Sequence, residues 1–195
     1  MKKLLVYLTF VLGTLSVIAF AHEHDPSGHA VKSLSSDSLF NSTTSWRDAS
    51  GREVKLSDFR GTKAILTMAY TSCTYTCPLT IAKLKEIESS LAAKGVTDFK
   101  IIVASFDPKR DNPTRLSDYA KEKKLNAHWV LLCPKSDKDV RELAALLGVT
   151  YNRDKGGDFS HSNVISLLNE QGVVIKTLNG LAADSKPLMA AMIGE

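Results

Sequence analysis

The chain has 195 residues, 44% hydrophobic and 24% charged, and its 25 Lys and Arg against 21 Asp and Glu give a formal net charge of +4. Two of those lysines, Lys2 and Lys3, stand at the amino terminus, and no Lys/Arg block interleaved with aromatics follows them, which argues against nucleic acid as a partner. Three cysteines cannot all pair and are too few to staple a small secreted scaffold, so they read as a site.

Met1-Lys2-Lys3 leads into an apolar run from Leu4 to Phe20 that closes on Ala19-Phe20-Ala21. A charged start, an apolar middle and a small-x-small end are what a secretory signal peptide needs, and residues 1–21 are read as one. An uncleaved membrane anchor is the other reading, since the run approaches the roughly 20 residues that span a bilayer. Either way the rest of the chain is expected to be exported, in the periplasm or at the outer face of the inner membrane. Residues 22–45 are polar and serine-rich, with Pro26 and Gly28, and are expected to be a flexible histidine-containing leader. The folded domain is expected over residues 46–195, a length that buries a substantial single core.

Trp46-Arg47-Asp48 and Glu53-Val54-Lys55-Leu56, joined by Ala49-Ser50-Gly51, predict a short hairpin. Lys63 to Tyr70 is an apolar run of strand length, and Ile81, Leu84, Ile87 and Leu91 follow at helical spacing after Pro78. Phe99 to Phe106 predicts a second buried strand, after which Asn112-Pro113 supplies a cap and first turn for a helix to about Lys124. Trp129 to Leu132 predicts a third strand, and a helix capped by Ser136 or Asp137 runs through Leu147 to Gly148. A loop rich in glycine and charge follows. Asn163 to Leu168 and Val173 to Thr177 form two strands about the turn Asn169-Glu170-Gln171-Gly172, and a last helix runs from about Asp184 to Met192. Early β-α-β units with a closing hairpin and helix fit an α/β fold of the thioredoxin-like type, a central mixed sheet flanked by helices with an added N-terminal hairpin. Periodicity alone suits any small α/β domain, so function must come from motifs.

The first motif is Thr71-Ser72-Cys73-Thr74-Tyr75-Thr76-Cys77-Pro78, between the strand ending at Tyr70 and the helix after it. Cysteines four apart on the approach to a helix lie about one turn from each other, so their sulfurs can point the same way. Free N–H groups and the positive end of the helix dipole favour thiolate, the form that binds metal or attacks disulfides. Two soft sulfurs suit Cu(I) better than a hard cation. A structural disulfide between the two is the plainer alternative. A thioredoxin has two residues between its cysteines and this chain has three, which matches simple reductase chemistry less well.

Cys-x-x-x-Cys-Pro after an apolar strand, then Ser105-Phe106-Asp107-Pro108-Lys109-Arg110-Asp111-Asn112-Pro113 at the end of the next, then Trp129-Val130-Leu131-Leu132 and a histidine before a late strand, resembles the Sco/SenC family of cytochrome oxidase copper-site assembly factors. The resemblance covers roughly Trp46 to the C-terminus. It implies a thioredoxin fold in which Cys73, Cys77 and the matching histidine, His161, bind copper as Cu(I) and Cu(II) for delivery to the dinuclear copper site of cytochrome c oxidase. The implied partner is the copper-accepting subunit of that oxidase or a similar exported copper protein. The competing reading is a thiol-disulfide oxidoreductase that reduces the acceptor's cysteines with Cys73 and Cys77 as its redox pair, recharged by a thiol-disulfide reductant. A thiol peroxidase would share the fold, but the region before Cys73 lacks the Pro-x-x-x-Thr-x-x-Cys arrangement of peroxiredoxins. In thioredoxins a cis-proline typically stands where this chain has Ser160-His161-Ser162. The family often has Asp immediately before the histidine; here the residue is Ser160, with Asp158 farther back, so the group orienting the imidazole is open.

Asp107 and Asp158 are candidate residues at the mouth of the site, with turn chemistry and a charge pair to Arg110 as the alternative for Asp107. Tyr75 either shields the metal or packs. Cys133 is expected to be a buried, inert thiol, Met68, Met189 and Met192 to be core, and His128 has no partner nearby in sequence. Cleavage after Ala21 would leave His22-Glu23-His24 at a free amine with His29 shortly after, a candidate second Cu(II) site of tetragonal nitrogen donors.

Overall fold

The computed structural model describes residues 34–195. Its centre is a seven-stranded mixed sheet built from β1 (Ser45–Asp48), β2 (Glu53–Lys55), β3 (Ala64–Ala69), β4 (Lys100–Ser105), β5 (Trp129–Pro134), β8 (Val164–Leu168) and β9 (Val174–Asn179), in the order β2-β1-β5-β4-β3-β8-β9. The middle trio β3, β4 and β5 is parallel, and the flanking pairs are antiparallel. Parallel neighbours require crossovers, which α1 (Thr76–Ala93) and α2 (Pro113–Glu122) supply. Helices then cover both faces, so the parallel strands read as continuous apolar runs; every residue of β3 is buried. The helices α3 (Asp137–Leu147) and α4 (Lys186–Ile193) complete the layers, with Trp46, Phe99 and Phe106 among the largest fully buried side chains.

Local chemistry explains most element ends. The Asn112 side chain accepts from the Arg115 amide at 3.0 Å to open α2, and Gly148 closes α3 in the left-handed region at φ 66°. The Asp48 carboxylate accepts from the Ser50 and Arg52 amides at 2.8 and 3.0 Å, which shapes the turn between β1 and β2 and seats the expected hairpin at the sheet edge. Met68 and Met192 are buried and Met189 packs beside them, as expected of core residues.

Three boundaries differ from the sequence reading. Helix α1 starts at Thr76, placing Pro78 as its third residue; a missing N–H is harmless in a first turn, where amides have no helical partner anyway. The charged glycine loop contains a separate two-stranded hairpin, β6 (Tyr151–Arg153) with β7 (Phe159–His161), too short and too polar for alternation to register. The third concerns the leader. Over residues 34–45 it is packed: Leu39 and Phe40, a lone apolar pair among serines, are buried, and Ser38 bridges Val173.

That docking depends on Gly172 in the β8–β9 turn. Its φ is +77°, its carbonyl accepts from the Leu39 amide at 2.9 Å, and a Cβ built on it would lie 2.5 Å from the Phe40 ring. Gly172→Ala is therefore expected to destabilise the fold by about 2–4 kcal/mol, combining backbone strain with an overlap against a buried aromatic. Denaturant unfolding checks this, and a loss under about 0.5 kcal/mol would show that the segment is not held against the turn.

Candidate metal centre

The site forms where β3 hands over to α1. The Cys73 amide donates to the Tyr70 carbonyl at 3.3 Å, turning the chain sharply, and the Cys77 amide in the first turn of α1 donates to Cys73 Sγ at 3.3 Å. An amide left free at a helix start thus holds the first sulfur. The two thiols are unequal. Burial acts to raise the Cys73 thiol, but hydrogen bonds from the Cys77 amide, the Cys77 thiol, the Tyr75 amide and the Thr76 hydroxyl outweigh it and bring the thiol below its usual range. Burial pushes Cys77 far up, and the neighbouring Cys73 adds to the rise. Cys73 is half-buried, Cys77 fully buried, and both are free thiols.

His161 comes from the end of β7, which the β6–β7 hairpin folds back over the thiols. Its Nε2 stands 3.8 Å from Cys77 Sγ and 3.5 Å from Thr76 Oγ1, while Nδ1 lies 3.0 Å from the Ser162 carbonyl oxygen. A carbonyl can only accept, so Nδ1 carries the proton and Nε2 presents a lone pair to the sulfur. Ser162 therefore answers the question of which group orients the imidazole, with its main chain in place of a carboxylate. The ring is further fixed by Phe106, 4.8 Å away centroid to centroid, and by Tyr70 at 6.5 Å.

The donors fit a soft metal ion. Two ligands on one ion, at about 2.3 Å for thiolate and about 2.0 Å for imidazole, stand about 3.5–3.7 Å apart at tetrahedral to trigonal angles, close to the observed Cys77–His161 separation. Among the described residues no three His, Cys, Asp or Glu side chains already meet at one ion-sized point. Cys73, turned to the Cys77 amide, is the donor that would swing in. An open cleft of about 340 Å³, lined by Tyr70, Cys73, Tyr75, Asp158 and His161 among others, gives access.

Asp158 does line this cleft, exposed and 3.0 Å from Arg110 Nη1. Asp107 does not: only 1% exposed, it accepts from the Lys109 amide at 3.1 Å, the Arg110 guanidinium and Arg153 at 3.3 Å, so turn chemistry and ion pairing account for it. Tyr75 does not pack; it is 84% exposed at the rim. Cys133 is fully buried on β5, donating to the Arg47 carbonyl at 3.4 Å. His128 Nδ1 lies 3.6 Å from a Glu88 carboxylate oxygen of α1, too far for a hydrogen bond, and both atoms are buried without one. His22, His24 and His29 lie outside the described residues. The residue that the sequence reading passed over is Asp111, a buried carboxylate that accepts from the Thr71 amide at 3.1 Å, the Thr71 hydroxyl and the Ser105 hydroxyl. Its only signal was its place in the Asp107–Asn112 run, which reads as a helix entry.

The family described as SCO1/SenC matches residues 34–193. Among curated proteins the chain is similar to the SCO1 protein homolog of Bacillus subtilis, 24% identical over 139 residues covering 70% of this chain and 72% of that protein. Among solved structures it resembles Arabidopsis thaliana ScoI with copper bound, at a TM-score of 0.68 and 22% identity over 77% of this chain and 94% of the other. It also resembles BsSco, described as a member of the Sco family of cytochrome c oxidase assembly proteins with a disulfide switch, at a TM-score of 0.67 and 23% identity over 77% and 89%. These structural likenesses show a shared fold, and the match across 34–193 shows the lineage. The chain belongs to the SCO1/SenC family.

Proposed function

We propose that this chain is a copper-binding metallochaperone that holds copper through Cys73, Cys77 and His161 and delivers it to the dinuclear copper site of cytochrome c oxidase. The observation that carries the reading is the His161 imidazole, whose Nε2 lone pair faces Cys77 Sγ at 3.8 Å while Nδ1 is engaged by the Ser162 carbonyl. A dithiol reductase needs no third donor. Two soft thiolates suit Cu(I), and an added imidazole suits Cu(II), so one donor set serves both oxidation states. Support comes also from the relatives: copper is bound in the Arabidopsis thaliana ScoI structure, and BsSco is grouped with oxidase assembly proteins. The signal-like segment of residues 1–21, a charged start followed by the apolar run from Leu4 to Phe20, supports export, with the domain facing the periplasm or the outer surface of the inner membrane.

A second reading has its own observation. Cys73 is accessible with a lowered pKa, whereas Cys77 is buried with a raised one, the asymmetry of an attacking and a resolving thiol. In that reading the Cys73 thiolate attacks an acceptor disulfide, and Cys77 then displaces the mixed disulfide, leaving the acceptor with two thiols and this chain with a Cys73–Cys77 disulfide.

One experiment separates the two. Copper-loaded protein is expected to metallate a copper-free oxidase acceptor domain whose cysteines are already reduced, while unloaded protein leaves it unchanged. Response only from an oxidised acceptor, and only to the unloaded dithiol, would replace delivery by reduction.

A further inference from the structure

We infer that the Asp107–Asp111 turn between β4 and α2 is a clamp that sets the distance between the cysteine turn and the His161 hairpin, with Asp111 holding the first and Asp107 the second as positioning residues. Both carboxylates are buried, at 2% and 1% exposure, yet neither reaches the cleft. They are tied to each other, since the Asp111 amide donates to the Asp107 carbonyl at 3.0 Å.

Asp111 takes the cysteine side. Its carboxylate accepts both the Thr71 amide and the Thr71 hydroxyl, two residues before Cys73, and the Ser105 hydroxyl anchors it to β4. Arg115 Nε donates to the same Thr71 hydroxyl at 3.0 Å, so Thr71 is gripped from two elements.

Asp107 takes the histidine side through two arginines. Arg110 pairs with it and reaches across to Asp158 and, through Nη2, to the Gly157 carbonyl at 2.7 Å; Arg153, itself in β6, lies 3.3 Å from it. The same guanidinium groups stack on aromatics of the site, Arg110 over Tyr70 at 5.4 Å and Arg153 over Phe159 at 4.6 Å. The hairpin has only three residues per strand and pairs with no strand of the main sheet. A two-stranded ladder of three pairs is marginal alone, so its position must come from elsewhere: Phe106 packs against Tyr151, Phe159 and His161, and the charge-assisted bonds to the buried Asp107 carboxylate add a directional tie. His161 is the last residue of that hairpin.

The substitutions are chosen to keep shape and remove charge. In Asp107→Asn the carbonyl oxygen still accepts the Lys109 and Arg110 amides, but an NH₂ group now meets Arg110 Nε and cannot accept. In Asp111→Asn at least one of the hydroxyl or amide donors from Thr71 and Ser105 loses its acceptor. Arg153→Gln is a milder second variant, since its side chain is 27% exposed, and Asp48→Asn in the distant β1–β2 turn is the control for general loosening.

Hydrogen exchange on metal-free protein reads the clamp without copper. Asp107→Asn is expected to speed exchange of amides in 151–162 by roughly tenfold with 71–77 nearly unchanged, Asp111→Asn to do the reverse, and Arg153→Gln to follow Asp107→Asn more weakly. Asp48→Asn should move neither segment selectively. Equal acceleration everywhere, or an unmoved 151–162 in both Asp107→Asn and Arg153→Gln, would overturn the clamp. A copper arm rests on the reading proposed for this site: Asp107→Asn should keep Cu(I) and weaken Cu(II), with a shifted thiolate-to-Cu(II) band. If wild-type protein takes up no copper, that reading fails while the exchange result still decides the clamp.

Discussion

Replacing Cys73 or Cys77 by serine is expected to lower Cu(I) affinity by about two orders of magnitude or more, since loss of a direct ligand should exceed the ten- to hundredfold typical of an outer-sphere partner. A hydroxyl is a hard, protonated donor at neutral pH and does not replace thiolate for a soft ion. The two variants should differ in cause. Cys77 is fully buried beside the imidazole, so Cys77→Ser removes the sulfur fixed 3.8 Å from His161 Nε2. Cys73→Ser removes the sulfur that the Cys77 amide holds, and with it the more acidic thiol. Cys133→Ser should bind copper as wild type does, because Cys133 lies on β5 with its thiol donating to the Arg47 carbonyl, a bond that a serine hydroxyl can remake at a cost of about 1–2 kcal/mol in stability. Anaerobic competition against a Cu(I) chelator measures all three. Retained affinity in Cys73→Ser with loss in Cys133→Ser would transfer the site to Cys133 on β5.

The sheet was legible because its parallel strands are buried on both faces. Lys63–Tyr70, Phe99–Phe106 and Trp129–Leu132 are largely apolar runs, and the helices after the second and third carry Asn112, Pro113 and Gly148 as start and stop signals. What escaped notice has small or polar contacts. Leu39 and Phe40 are two apolar residues without a period, and their partner is a glycine turn more than 130 residues away, as the Ser38 to Gln171 bond shows. The β6–β7 hairpin is held by arginines on Asp107, and no local pattern announces such a contact. The thiol pair could be read from spacing because both members share one turn. His161 could not, since its approach to Cys77 depends on that hairpin, and the family resemblance supplied it. Asp111 was hidden for the same reason as its function: a carboxylate before Asn-Pro looks like helix-entry chemistry until the Thr71 backbone is seen against it.

His161→Ala is expected to separate the two oxidation states of copper. Cu(I) is well served by two thiolates alone, so its affinity should fall by about tenfold or less. Cu(II) favours imidazole and higher coordination, so its affinity should fall by about a hundredfold or more, and the thiolate-to-Cu(II) absorption should weaken with it. Stability should change little, because the imidazole is only half-buried and, beside its bond to the Ser162 carbonyl, its polar contacts to Thr76 and Cys77 are long, at 3.5 and 3.8 Å. The orientation of the ring yields a sharper expectation. Nδ1–H donates to the main chain of Ser162, so Ser162→Ala leaves the acceptor in place and should bind Cu(II) as wild type does. Asp158→Asn should also bind Cu(II) within about threefold, since Asp158 is exposed and pairs with Arg110, an arrangement that contributes roughly 0–1 kcal/mol. If Asp158→Asn instead reproduced the His161→Ala spectrum, the carboxylate would have to turn onto Nδ1 when metal binds, and the imidazole would be oriented by charge after all. Equal loss of Cu(I) and Cu(II) in His161→Ala would mean that the histidine holds the cysteine turn in shape without donating to copper.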